Sequence, residues 1–367
     1  MKGAGLSSLA AVLILTALTG KAHAMPVFAQ AYSANCTLCH TQVPALNAYG
    51  RYVQRSGYAV LDHDVLKRSV PIWIGFNPSY DSQGSPRTQV GNLAVHAAGV
   101  TGNWSYHVQQ WITQNNAPGS IDTAWVAYNN FFDHAGHLFF GKVETPAPSP
   151  FSQWFDLAPF ALSQVTVGEH QYQLANNRWG ERFAYAQGSV DAEVAWLGGG
   201  DTWSSASDFT NVEKTVQWKF AWANPKQPVE AGVFGSAGSF PLAEGGVDPY
   251  HSSAVYAQRD IRFGVPGVFL SYQTTRDANP GGGDAASAGN DATVELFERF
   301  LHDNVLIGIR KEFTNDGLGN SLQSGNVDLE FHPVRFIHVY LETYMAQSSK
   351  PGYRYMLWWT TPVTAVK

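Results

Sequence analysis

Cysteine is almost missing from this chain: its 367 residues contain two, Cys36 and Cys39. With no second pair, the four ligands of a structural zinc site cannot be completed from thiols. Long apolar runs are missing too. The run "LAAVLILTAL" at 9–18 is ten residues, against the roughly 20 that a bilayer-spanning helix needs. There is no excess of positive charge: net charge is −6 and the sequence pI about 6.0, so no nucleic-acid partner is expected. The nucleophile elbow, phosphate loop, zincin helix and EF-hand patterns are all absent, and with them the hydrolytic and phosphoryl-transfer chemistries they signal.

What is present begins with a sorting signal. Lys2, the apolar run and "AHA" at 22–24 have the three-part layout of a secretory leader, so 1–24 is expected to be removed and Met25 to begin the mature chain. The two thiols then come in "ANCTLCHTQVPALNAYG", 34–50, with His40 directly after the second. A thioredoxin-like pair would need a βαβ setting, which the flanks do not supply. Covalent c-type haem needs two thiols about a helical turn apart for the two vinyl groups, and an imidazole next to them for the iron. "CTLCH" meets that demand, with Cys36 and Cys39 as attachment points for one haem c and His40 as proximal iron ligand. A disulfide or an adventitious metal is the remaining alternative.

Residues 25–69 read as a small helical haem domain. Pro44 suits a first helical turn, Leu46, Tyr49 and Val53 recur at helical spacing, and Gly57 after Ser56 supplies a stop. So short a segment forms little core by itself, which leaves it leaning on the C-terminal remainder of the chain or tethered loosely outside it.

From 70 to 367 the composition changes. In "KTVQWKFAWA", 214–223, Val216, Trp218, Phe220 and Trp222 alternate with Thr215, Gln217 and Lys219, and "NVDLEFH" at 326–332 repeats the pattern; this is strand periodicity. About sixteen strands are expected, near 70–76, 89–99, 104–113, 121–131, 137–143, 181–188, 190–197, 213–222, 229–236, 254–263, 267–275, 292–301, 304–313, 325–332, 335–346 and 353–361. Every second connection is tight, and those between are longer. That sorting favours an all-β, antiparallel transmembrane barrel with tight turns toward the periplasm over a soluble sandwich with Greek-key crossings. Tyr340, Tyr344, Tyr353, Tyr355, Trp358, Trp359, Phe139 and Phe140 lie near strand ends, where amphipathic rings favour the lipid interface. One connection differs: 144–180 carries Phe151, Trp154, Phe155, Leu157 and Phe160, too apolar for a solvated tip. It either packs inside the barrel or forms an external cap.

The run "CTLCHTQVPALNAYGRYVQRSGY" with a barrel pattern after it resembles the fused outer-membrane monohaem cytochrome–porin family, as found in iron-oxidising bacteria. The resemblance implies an outer-membrane protein whose haem domain lodges in or beneath the barrel. It also implies electron transfer from an extracellular reductant, ferrous iron foremost, to a periplasmic cytochrome or other carrier, as in iron(II):cytochrome c oxidoreductase activity. The alternative is a diffusion porin whose haem domain is a plug or sensor.

Two further expectations bear on that choice. The outer loops, drawn at 77–88, 144–180, 198–212, 237–253, 276–291, 314–324 and 347–352, hold twelve Asp or Glu against four Lys or Arg. Carboxylates suit hard cations, though acidic loops also serve solubility. For a sixth iron ligand the candidates are His63 in "LDHDV", Met25, a lumen-side histidine such as His332, or an open position.

Overall fold

The computed structural model describes residues 28, 31–32, 34, 38–42, 45–66, 71–89, 92–114, 116–148, 164–167, 170–174, 177–198, 214–224, 226–241, 246–261, 264–279, 286–301, 304–334, 337–346 and 350–360. The leader, Met25, Cys36, Pro44 and the aromatic run from Phe151 to Phe160 lie outside these residues.

Sixteen strands close into one antiparallel barrel. In chain order they are β1 (Ile72–Phe76), β2 (Leu93–Thr101), β3 (Trp104–Gln114), β4 (Ile121–Phe131), β5 (Gly136–Val143), β6 (Arg178–Gln187), β7 (Val190–Gly198) and β8 (Lys214–Ala223). The second half comprises β9 (Val229–Pro241), β10 (Val247–Arg259), β11 (Gly267–Asp277), β12 (Ser287–Phe300), β13 (Val305–Asn315), β14 (Ser321–Val334), β15 (Ile337–Ala346) and β16 (Gly352–Thr360). Each pairs with its neighbour in sequence, and β16 closes on β1 through Trp359 opposite Phe76. Among the described residues no helix is long and apolar enough to cross a membrane; the strands do the crossing.

The direction of the alternation separates this barrel from a soluble one. Along β8, Thr215, Gln217 and Lys219 are buried while Val216, Phe220 and Trp222 are exposed. Val255 on β10, Ile309 on β13 and Val327 on β14 also face outward. An apolar exterior around a polar interior suits a surrounding medium of hydrocarbon, where every backbone group must be paired and closure removes the open edge.

Strand positions match the periodicity closely, but several strands run further than it suggests. β9 continues to Pro241 and β10 begins at Val247, so 237–253 is mostly strand; β12 likewise begins at Ser287. Glycine, serine and aspartate there look like loop formers. In a polar lumen they are inward-facing residues instead: Ser236, Asp248 and Ser252 are all buried. The aromatic belt needs the same correction. Tyr353, Tyr355 and Phe140 face outward, but Tyr340, Trp358 and Phe139 face the lumen.

The N-terminal helix α1 (Ala48–Arg55) starts later than Pro44 and is capped by Asn47, whose side chain accepts from the Gly50 N–H at 3.0 Å. It stops as expected. Gly57 at φ +55° donates to the Gln54 carbonyl and Tyr58 to the Val53 carbonyl, the paired bonds of a Schellman ending. A single turn, α2 (His63–Leu66), comes next.

Candidate functional site

The ion-pair partners of α1 lie at the tight-turn end of the lumen. Asp191 and Glu230 are the second residues of β7 and β9, and Asp260 directly follows β10. Arg51 donates from Nε to Glu230 at 2.8 Å, from Nη1 to Asp260 at 3.1 Å and to the Leu46 carbonyl at 2.7 Å. Asp260 also accepts from the Ala48 N–H at 2.7 Å, and Glu230 from the Tyr256 hydroxyl at 2.8 Å. One turn on, Arg55 faces Asp191 at 3.3 Å. Asp191 in turn meets Lys219 at 3.1 Å, which also pairs with Glu193 at 2.5 Å. Burial by itself disfavours the Arg51 charge, but Glu230 and Asp260 outweigh it and hold the guanidinium more firmly protonated than usual.

The opposite side of the segment is apolar. Val53, Tyr58, Leu61 and Leu66 bury against Trp73, Trp125, Phe139 and the small residues Ala98, Ala184 and Ala195 of the wall. The Tyr58 hydroxyl meets His107 Nδ1 at 3.1 Å, and its ring lies 5.4 Å from that of Trp125. Full burial of such a side chain contributes about 1.5–3 kcal/mol. The helix domain is therefore a plug held between a charged arc, β7–β10, and an aromatic arc, β1–β5.

The plug sets the position of the thiol–imidazole motif. The Asn47 N–H donates to the Cys39 carbonyl at 2.9 Å, and its side-chain amide to the Leu38 carbonyl at 3.1 Å. Gly50 makes this approach possible, since a Cβ there would stand 2.0 Å from the Cys39 carbonyl oxygen. His40 begins a short strand, His40–Gln42, paired with Ala45–Leu46. From β12, Arg299 donates to the carbonyls of His40, at 2.7 Å, and Thr41. Cys39 is half-buried, and burial pushes its thiol up to about 11.

A half-buried thiol, an adjacent imidazole on a backbone clamped from two sides and a helix packed flush through Gly50 fit the demands of a covalent haem at Cys39 and His40. α2, with His63, packs on β2, six strands round the wall from the β12 that holds His40. These anchors do not pair the two imidazoles. His332 belongs to a different group, within 2.5 Å of Glu330 on β14 and beside His338 on β15.

The long connection after β5 turns inward. Glu144 lies 3.8 Å from His107, and its carbonyl accepts from Arg182 at 3.1 Å. Further along, the hairpin Gln164–Val167 with His170–Gln173 buries Val167 and Tyr172 against Phe234, Tyr250 and Phe269 of the wall. The Leu174 carbonyl accepts from Gln217 at 2.9 Å. The described part of this connection packs inside the barrel, as one of the two sequence readings has it.

Buried charge is unevenly spread round the lumen. β6–β8 bury Arg178, Arg182 and Lys219 together with Asp191 and Glu193, whereas β10–β15 bury Asp248, Asp277, Asp291, Glu295, Glu312, Glu330 and Glu342 with Arg310. Three of these acids, Asp248, Asp277 and Asp291, fall in what the sequence suggests are outer loops. Three of the twelve acids assigned to the surface are thus inside.

Sequence reasoning missed Asn47, Gly50, Arg51, Arg55 and Arg299. An asparagine before the helical run is a capping signal. The arginines, four apart beside Val53, share a helix face, but only knowledge of a polar lumen identifies that face as buried.

No protein-family model matches the chain, and no curated protein matches it in sequence. Solved structures do. A loop-L8 deletion form of OmpT of Vibrio cholerae is 10% identical with a TM-score of 0.58, over 79% of this chain and 98% of that one. The anion-selective porin from Comamonas acidovorans is 11% identical with a TM-score of 0.57, over 79% and 98%. The outer-membrane channel DcaP of Acinetobacter baumannii is 11% identical with a TM-score of 0.54, over 79% and 96%. The chain has the fold of bacterial outer-membrane porins and is an outer-membrane β-barrel.

Proposed function

We propose that the protein is an outer-membrane electron-transfer protein that holds one haem c covalently on Cys36 and Cys39, with His40 as proximal ligand, inside the mouth of a plugged barrel. The observation that carries this reading is the mounting of the motif. The chain on either side of Cys39 and His40 is fixed to the barrel wall by Arg299 from β12 and, through Asn47 and Arg51, by Asp260 and Glu230. A bound haem would supply one-electron redox chemistry between an extracellular donor, ferrous iron by preference, and a periplasmic cytochrome or other carrier. Around it the chain's own residues do three things. Cys36, Cys39 and His40 attach and ligate; Asn47, Gly50 and Arg299 fix the backbone that presents them; and α1 with the inward connection occupies the lumen. His63 stays a candidate distal ligand.

A second reading has an observation in its favour. The resemblance of the barrel to porins and channels fits a diffusion porin whose N-terminal domain is a plug or sensor. The test runs on the full chain purified from outer membranes. Haem-stained gels of wild type and of Cys36→Ser and Cys39→Ser variants, with ferrous-iron difference spectra on the same samples, are expected to show a covalent stain in wild type alone and a reduced haem band on adding iron. A wild-type chain without porphyrin mass, combined with steady single-channel conductance in planar bilayers, overturns electron transfer and establishes the porin.

A further inference from the structure

At the same end of the lumen, β14 and β15 bring three metal-ligating side chains together. Glu330 and His332 are two apart on β14 and so face the same side. The register that sets Phe331 opposite Val339 sets Glu330 opposite Tyr340, and the pairing becomes irregular between Phe331 and Val334 beside the turn. His338, the second residue of β15, thereby lies across from His332, their ring centroids 4.3 Å apart. Glu330 Oε1 is 2.5 Å from His332 Nε2 and 2.9 Å from His338 Nδ1. All three ligand atoms lie within 4.8 Å of one another.

The protein alone does not complete this arrangement. The Glu330 side chain is 0% exposed, and its second oxygen, Oε2, has no hydrogen-bond partner. A buried carboxylate oxygen in that state takes its partner from outside the chain, a water or an ion. His332 Nε2 is close to Glu330 Oε1 yet makes no hydrogen bond of acceptable geometry. Two imidazole nitrogens and a carboxylate converging from one side are the donor set that holds first-row divalent metals with coordination positions left open. The surroundings shield the site: Leu306 is paired to Glu330 across the sheet, and Tyr340, Met356 and Trp358 form the adjoining buried cluster.

We propose that Glu330, His332 and His338 form a binding site for one divalent first-row transition-metal ion at the tight-turn mouth of the lumen, the side that faces the periplasm in outer-membrane barrels. The site requires only the barrel; it stands or falls separately from the haem. Arg299, which holds the His40 carbonyl, and Glu330 lie in one lateral row, since Arg299 pairs with Leu306 and Leu306 with Glu330. Two strand spacings, roughly 10 Å, separate their backbones.

The test uses the full chain in detergent, stripped with a chelator and then dialysed against zinc, with bound metal counted by elemental analysis. The expected result is one zinc per chain beyond the amount held by Glu330→Gln and by a His332→Ala/His338→Ala double variant. Affinity in those variants should fall by more than about 100-fold, the upper end of what loss of a mere supporting contact to a ligand costs. Barrel assembly in each variant is checked by its heat-sensitive gel mobility. Equal zinc in wild type and variants overturns the proposal, as does no zinc in wild type. If the double variant does not assemble, X-ray absorption at the zinc edge of the wild type decides. Two imidazole nitrogens with oxygen support the site; sulfur ligands or an all-oxygen shell overturn it.

Discussion

Replacing Arg51 by alanine removes one side chain and unpairs two buried acids. The guanidinium makes four contacts, to Glu230 at 2.8 Å, to Asp260 at 3.1 and 3.3 Å and to the Leu46 carbonyl at 2.7 Å. Deleting one partner of a buried ion pair costs about 3–5 kcal/mol. Glu230 keeps the Tyr256 hydroxyl and Asp260 keeps the Ala48 N–H, which puts Arg51→Ala near the lower end, about 3 kcal/mol. At 1.4 kcal/mol per tenfold, the equilibrium between docked and released plug then shifts on the order of 100-fold. Arg55 reports the shift, because trypsin reaches it only when it leaves Asp191. Under conditions where reclosing outpaces cleavage, the rate of cutting tracks the released population. Cleavage at Arg55 in Arg51→Ala is therefore expected about 100-fold faster than in wild type. Adding Glu230→Gln and Asp260→Asn, which removes the stranded charges, is expected to recover most of the protection. A cleavage rate within a factor of about two of wild type, or no recovery in the triple variant, would refute the reasoning.

Three other outcomes rest on the same geometry. Gly50→Ala drives a Cβ into the Cys39 carbonyl oxygen at 2.0 Å, where only backbone movement can relieve it; the barrel should assemble with normal gel mobility while the yield of haem-stained protein falls severalfold. Glu144 loses some ionisation to burial, but the neighbouring His107 and the charge of Arg182 outweigh that and hold it below the usual carboxylate range. Its contribution to docking is present above the unfolded value of about 4.3 and is lost as pH falls through the lower folded value. The protection factors at residues 54–58, hydrogen exchange corrected for its intrinsic pH dependence, should accordingly be unchanged from pH 7 to 5 and fall below about 4. Finally, any conductance released by Arg51→Ala should select cations, because the acids of β10–β15 outnumber Arg310, the buried base on that arc. A reversal potential that shows anion preference in a potassium chloride gradient would count against the assigned lumen lining.

The periodicity of the strands is readable because one residue in two must meet lipid, and Val216, Phe220 and Trp222 advertise that requirement without reference to any other part of the chain. Strand ends are harder. Around Asp248 and Ser252 the chain is rich in glycine and serine, and nothing local distinguishes a loop from a strand whose inner face is polar. The thiol–imidazole motif is legible for the reason the strands are, since the proposed haem attachment would require its residues at fixed short spacing. The trio of Glu330, His332 and His338 is not, although His332 by itself stands out as a lumen-side histidine. Their convergence depends on the register between two strands and on an irregularity at their turn.

The sequence by itself therefore determined a barrel with apolar residues turned outward and a CxxCH segment ahead of it, because alternation and short spacing are local properties of the chain. Tertiary structure alone decided that α1 sits within the lumen, that Arg51 and Arg55 face acids about 140–210 residues away in sequence, and that on β10–β15 buried acids outnumber buried bases. Those outcomes arise from closure, which brings distant strands round one polar space and makes each buried charge find its partner across it.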